Sequence, residues 1–227
     1  MNFLSHYYFD RYSKDDALVM GTVLPDFIKN TNKEWNLYPQ KEESLFTADP
    51  SLNSYLQGWK RHIEVDRIFH NSYFFEARHL ELKELILPVM QGSPVKPFFL
   101  SHIGLELVLD HLLIADDKIN VQSFYDHLAK ANNSSLALFL DKAGIESSDL
   151  FSNFMKNFLS SRYLLSYQKI ENLTYALNRI CMRIWPIPFN DGQLNGLTEK
   201  LRLFAKHLSK DYFSIYQEIE EEMKHFS

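Results

Sequence analysis

A single cysteine, Cys181, stands among 227 residues. That excludes an intramolecular disulfide and a cysteine-built zinc site, and it fits a reducing compartment. Glycine is scarce as well: seven residues are too few for a β-rich fold crowded with tight turns. No run of 18 apolar residues occurs, so the sequence predicts no membrane span. The start, Met1-Asn2-Phe3-Leu4-Ser5-His6, lacks the basic stretch and long apolar run of a signal peptide. Positive charge is not in surplus either. A formal charge of −5 gives no general attraction for nucleic acid or anionic membrane. The G-x-S-x-G elbow, the P-loop, G-x-G-x-x-G and H-E-x-x-H are all missing. These absences leave a cytoplasmic protein without a nucleic-acid partner or a membrane span, and they say nothing of oligomeric state.

What is present is apolar and helical. Hydrophobic residues make up 45% and aromatics 15% of the chain, enough for a sizeable core. Helical periodicity covers about 2–12, 15–30, 51–87, 95–115, 119–141, 147–167, 170–185 and 197–226. Within 15–30, Pro25 is expected to end or kink the helix and hold Asp26 at a bend. A break is expected near Asn71-Ser72, and Trp185-Pro186-Ile187-Pro188 and Asn190-Asp191-Gly192 interrupt the pattern later on. The polar stretch from Asn30 to Pro50 reads as a long loop, of the kind that often forms a lid or binding segment. No linker stands out. The expected fold is a single all-α helical domain over 1–227, with a motif-bearing part at 1–115 and a C-terminal helical part at 116–227.

Two segments carry metal-ligand side chains on an apolar helical face. One is Trp59, His62, Ile63, Asp66, Phe69, His70 and Tyr73; the other is Phe99, His102, Ile103, Glu106, Leu109, Asp110 and Leu113. Both follow i, i+3, i+4, i+7, i+10, i+11, i+14, the stripe a helix turns toward a core. A buried charge costs several kcal/mol unless paired or coordinated. Residues four apart drift only about 40° around the helix, so His62, Asp66 and His70 share a face, as do His102, Glu106 and Asp110. Imidazole and carboxylate without thiolate suit Mn²⁺, Fe²⁺, Zn²⁺ or Mg²⁺. The metal ligands expected are Asp26, His62, Asp66 and Asp110, with His70, His102 and Glu106 behind them. His111, a neighbour of Asp110 about 100° around the helix, serves as an outer partner or proton donor. The matching stripes are read as two facing helices rather than a duplication.

The remaining candidates have plainer readings. His79, His127, His207 and His225 fall in polar or mixed surroundings and read as surface histidines. Lys60, Arg61 and Arg67 form a solvated face beside the first stripe, and Cys181 reads as a core residue.

Four blocks carry a family resemblance. Met1 to His6 resembles an M-N-F-L-A-H start, and Gly21 to Phe27, G-T-V-L-P-D-F, resembles G-N-L-L-A-D-F. Gly58 to His70, G-W-K-R-H-I-E-V-D-R-I-F-H, is similar to G-x-x-x-H-R-x-I-D-x-x-T-D, and Leu105 to Leu113 is similar to a segment ending in D-H-F-L. In this order and approximate spacing, over about the first 115 residues, they resemble bacterial acyl carrier protein phosphodiesterases. The resemblance implies an all-helical fold related to HD-type metal-dependent phosphohydrolases. It also implies hydrolysis of the phosphodiester between 4′-phosphopantetheine and the carrier-protein serine, with Mn²⁺ favoured. It points to His6, Asp26, His62, Asp66, Asp110 and His111, and so adds His6 as a catalytic candidate beside His111. Among the departures from the family pattern are Ile63 where the family has Arg, His70 where it has an acid, and Pro25 before Asp26. The alternatives are a non-catalytic helical binding protein with a degenerate metal site, and a phosphodiesterase for a lipid or nucleotide.

Overall fold

In the computed structural model, which describes residues 1–145 and 149–224, every regular element is a helix. His225 and the outermost residues expected for the helices at 147–167 and 197–226 lie outside the described residues. The helices are α1 (Phe3–Asp10), α2 (Asp16–Gly21), α3 (Leu24–Thr31), α4 (Pro50–Asn71), α5 (Tyr73–Ile86), α6 (Pro97–Ala115), α7 (Val121–Ala131), α8 (Ser134–Lys142), α9 (Asp149–Ser161), α10 (Ile170–Cys181), α11 (Asp191–Leu208) and α12 (Phe213–Met223). Short 3-10 turns occupy Pro39–Lys41, Glu43–Leu45, Leu87–Val89 and Tyr163–Gln168. The all-α expectation therefore holds.

Several boundaries follow from local chemistry. Ser72 separates α4 from α5 as expected: its hydroxyl accepts from the Phe75 amide and caps the new helix. Pro25 does the opposite of what was expected. It sits in the first turn of α3, where its missing N–H costs nothing, so the break precedes it at Thr22-Val23 and Asp26 lies inside the first turn. Asn190 and Gln193 form a capping box, which places Asp191 and Gly192 inside α11 rather than in a break. The expected helix at 119–141 divides at Asn132-Asn133, and the last one divides between Leu208 and Phe213.

The chain forms two compact units, each assembled from separated stretches. One holds residues 1–5, 67–118 and 166–227, and the other holds 6–66 and 119–165. In the first, α5, α6, α10 and α11 pack together. Gly104 of α6 lets Leu82, Leu177 and Leu201 close around it, with the Leu82 side chain 3.1 Å from where a Cβ would stand. At 19 residues with mean hydropathy 1.6, α6 is long and apolar enough to count as a candidate span by composition. More than half of it is buried, as in a core helix.

In the second unit, α2 lies on α7, and α3 and α7 both meet α9. Phe27, Phe154, Phe158 and Tyr125 pack there at tilted angles, with centroids 4.7 to 5.5 Å apart in the pairs Phe27–Phe154, Phe27–Phe158 and Tyr125–Phe158. Helices α2 and α4 approach closely at two glycines. A Cβ on Gly58 would fall 2.2 Å from the Leu18 carbonyl oxygen, and one on Gly21 would fall 2.4 Å from that of Tyr55. Only glycine permits backbones so close.

Of the expected stripe, Trp59, His62 and Phe69 are buried on α4 as expected, and the exceptions are Ile63 and, at the start of α5, Tyr73. Ile63 and Tyr73 are exposed, while Val65 and Ile68 are buried. His79, read as a surface residue, is also buried. Its ring stands 4.4 Å from Phe98 and its Nε2 lies 3.2 Å from the Phe98 carbonyl, and that apolar setting lowers its pKa. His127 and His207 pair with Asp16 and Glu81, and Cys181 is buried, its thiol pushed up to about 12 by desolvation.

Candidate active site

Three helices meet at the first ligand cluster. α1 brings His6, α3 brings Asp26, and α4 brings His62 and Asp66, four residues apart and so on one face. The Gly21–Gly58 contact holds α2 against α4 and presents the Thr22 carbonyl, freed where α2 ends, to His62. Nδ1 of His62 lies 2.8 Å from that carbonyl oxygen. The carbonyl is only an acceptor, so Nδ1 carries a proton and Nε2 is the nitrogen turned toward the carboxylates. Nε2 lies 3.6 Å from Asp66 Oδ2 and 3.9 Å from Asp26 Oδ1. Carbonyl support of this kind on the far nitrogen is what orients metal-binding histidines.

His6 stacks on His62 with centroids 3.9 Å apart and planes at 19°. It is 1% exposed, and neither ring nitrogen makes a well-formed hydrogen bond, although Nε2 comes within 3.2 Å of Asp66 Oδ1. Burial, reinforced by the neighbouring His62, drives the His6 pKa down to about 3, so the ring is neutral. Burial also opposes ionisation of Asp66, but its polar surroundings, in which the His6 and His62 rings face it, hold its carboxyl well below the usual carboxylate range. Arg61, next to His62, reaches Asp10 Oδ2 at 3.1 Å and ties α4 to α1.

The cluster opens on a cleft of about 300 Å³. Ile28, Trp35, Leu37, Tyr38 and Trp59 supply apolar walls, and His62 and Asp66 lie at one side. The long loop expected to serve as a binding segment thus contributes Trp35, Leu37, Tyr38 and Gln40. Two wall atoms are buried without a hydrogen-bond partner, the donor Trp59 Nε1 and the acceptor Gln40 Oε1.

A second cluster lies in the other unit. His70 Nε2, His102 Nε2 and Glu106 Oε1 lie 3.1 to 3.4 Å from one another. The Met1 nitrogen is 3.3 Å from the same Glu106 oxygen. Burial alone would raise the Glu106 pKa, but the Met1 nitrogen and the two histidines hold it well below its ordinary value.

The other candidates sit differently. Asp110 is fully buried, and its two oxygens accept from Asn2 Nδ2, the Leu4 and Ser5 amides and the Ser5 hydroxyl at 2.7 to 3.3 Å. Burial still pushes its carboxyl up to about 7. It anchors the first turn of α1, with Ser5 continuing to Tyr216 at 2.7 Å. His111 Nδ1 lies 2.8 Å from the Tyr167 carbonyl oxygen. Among the described residues, the groups whose ligand atoms converge are His6-His62-Asp66 and His70-His102-Glu106. Lys60, Arg61 and Arg67 pair with Glu43, Asp10 and Glu222, so the basic face is committed internally.

Residue-type reasoning on α4 and α6 missed His6, which the opening block alone indicated, and the pairing of α4 with Thr22. The signal for that pairing was present in Gly21 and Gly58, each the first residue of a resemblance block. Gln40 left no sequence signal.

The first cluster fits a divalent cation. Its donor set is imidazole and carboxylate, one imidazole has its proton fixed away from the centre, and the other has buried nitrogens with unmet hydrogen-bonding capacity. Comparison with curated proteins and with solved structures found no match. A family model described as acyl carrier protein phosphodiesterase matches residues 1–219. With nearly its whole length covered, the chain belongs to the acyl carrier protein phosphodiesterase family.

Proposed function

We propose that this phosphodiesterase hydrolyses the 4′-phosphopantetheine linkage of acyl carrier protein with a divalent cation, Mn²⁺ favoured, held by His6, His62, Asp66 and Asp26. The observation that carries the reading is the convergence of His62 Nε2, His6 Nε2 and the Asp66 carboxylate beside an apolar cleft. A bound cation supplies charge neutralisation at the phosphoryl oxygens and a more acidic water. The protein's own groups do the rest. Thr22 fixes the His62 ring, stacking on His62 orients His6, and Asp66 stays ionised. Hydrolysis forms a bond from the water oxygen to phosphorus and breaks phosphorus–serine oxygen, with a water proton ending on the serine oxygen. Asp26, one third exposed, is the carboxylate with room to relay that proton.

The cleft supports the pantetheine assignment. Its apolar walls suit a flexible chain, and among its lining residues Trp59 has an unpartnered donor and Gln40 an unpartnered acceptor for an amide group of that chain. The acidic balance of both proteins leaves docking to local groups, among which Lys29 lines the cleft. The test is release of 4′-phosphopantetheine from holo carrier protein by wild type and by Asp66→Ala, each after chelation and Mn²⁺ addition. Release that needs added cation and is lost in the variant supports the proposal; equal release by both proteins would refute it.

A further inference from the structure

The geometry points to a second divalent-cation site at His70, His102 and Glu106, sharing no residue with the site proposed above and taking a zinc-class ion. The three ligand atoms form a triangle with sides of 3.1, 3.2 and 3.4 Å. Ligand bonds of about 2.0–2.1 Å to a tetrahedral ion place ligand atoms about 3.3–3.4 Å apart, so the triangle has the size of one tetrahedral face. Octahedral bonds of the same length would draw them to about 3.0 Å. Two imidazoles and one carboxylate are also a donor set used by zinc with an open fourth position.

As a hydrogen-bond network the same contacts are poor. Three nitrogens, from His70, His102 and Met1, crowd one oxygen of Glu106 at 3.1 to 3.4 Å. All lie beyond the usual N–H···O optimum of about 2.9–3.0 Å. The two imidazole nitrogens also face each other at 3.2 Å, although one neutral ring can donate there only if the other accepts. One cation would use all three lone pairs at once.

The supports are rigid. His102 and Glu106 are four residues apart on α6, and His70 comes from the last turn of α4. The Phe75 ring stands edge-on to both imidazoles, with centroids 5.0 Å from each. Phe69 adds a contact to His70 at 5.1 Å. Aromatic walls fix ring orientation and reduce competition from water. Both histidines are 32% exposed, so ions can enter and a water can complete the coordination.

The test is metal stoichiometry by elemental mass spectrometry after chelation, Zn²⁺ reloading and desalting, on wild type, Asp66→Ala, His102→Ala and the double variant. The inference predicts that one equivalent depends on His102 alone. Two, one, one and none across the four proteins supports both sites. One, one, none and none supports this site while overturning metal binding at the other. One, none, one and none, or no metal in any protein, overturns this inference, and the first of those patterns leaves the site proposed above standing. Glu106→Gln, which keeps a neutral acceptor of the same shape, checks against loss of fold. It should weaken Zn²⁺ binding at least tenfold with unchanged far-UV circular dichroism of the metal-free protein. Co²⁺ loading of Asp66→Ala should give the intense visible absorption of tetrahedral cobalt; a weak octahedral spectrum would overturn the assigned geometry.

Discussion

The two ligand clusters use the same residue types but different physics. At His6, His62 and Asp66 the imidazoles are almost fully buried, one is locked by a main-chain carbonyl, and the other has nitrogens without hydrogen-bond partners. At His70, His102 and Glu106 the imidazoles are one third exposed, share one oxygen of a single carboxylate, and are steadied by aromatic edges. Unmet buried capacity favours whatever satisfies it, because each idle polar group has already lost its water. A cation entering the first cluster restores lost interactions, whereas one entering the second must first replace existing ones. The first should therefore hold its ion more tightly, and the second should exchange it more readily.

The largest effect that would break this contrast is at Asp66. Asp66→Ala should lower phosphodiester hydrolysis on the order of a thousandfold, about 4 kcal/mol of barrier. His102→Ala should leave the rate within about threefold. Initial rates on holo carrier protein decide it, and equal losses would erase the division of roles.

Next comes helix contact. Gly58→Ala places a methyl group against the Leu18 main chain, which cannot yield, so unfolding stability should fall by about 3 kcal/mol. Gly104→Ala meets the end of the Leu82 side chain, which can turn away, and about 1 kcal/mol should suffice. Urea denaturation of the two variants side by side measures the difference.

A smaller effect is expected in the cleft. Trp59→Phe keeps the ring and removes the unpartnered donor. KM for the carrier protein should rise about tenfold, or about 1.4 kcal/mol, with kcat within about twofold. A change confined to kcat would show that Trp59 serves the chemistry instead.

The smallest effect is a pH dependence. The Glu106 pKa is depressed on folding, so its contribution to stability is present above the unfolded value near 4.5 and is lost as pH falls below it. Acid denaturation curves should therefore be shallower for Glu106→Gln than for wild type between about pH 5 and 2. Parallel curves would contradict the depressed carboxyl.

Much of this arrangement is legible in the sequence. Asp66 four residues after His62, and Glu106 four after His102, announced two helical faces of ligands, and the structure brings each pair together. The break at Ser72 was legible because a cap is a local, side-chain event. Pro25 was misread because proline can end one helix or begin the next, and only the free carbonyls of the preceding turn distinguish the two. The stripe held at Trp59, His62 and Phe69 but not at Ile63, because α4 buries more than one face and Val65 and Ile68 also lie inside, nor at Tyr73, which the break at Ser72 moves onto another helix. His79 looked polar from its neighbours in sequence, whereas Phe75 and Phe98 enclose it in space. Asp110 carried the composition of a ligand, but its oxygens meet the start of the chain, a pairing across more than a hundred residues that no local pattern encodes.

The gap between α2 and α3 has a consequence for how this protein can lose activity. If residues 22–25 were rewritten as uninterrupted helix, the Thr22 oxygen would be claimed by the Asp26 amide, and His62 would be free to change tautomer. No ligand side chain would have altered, and a survey of site residues would find nothing missing. The chemistry here is vulnerable through a main-chain atom that has no identity in the sequence, so inactive descendants can look intact.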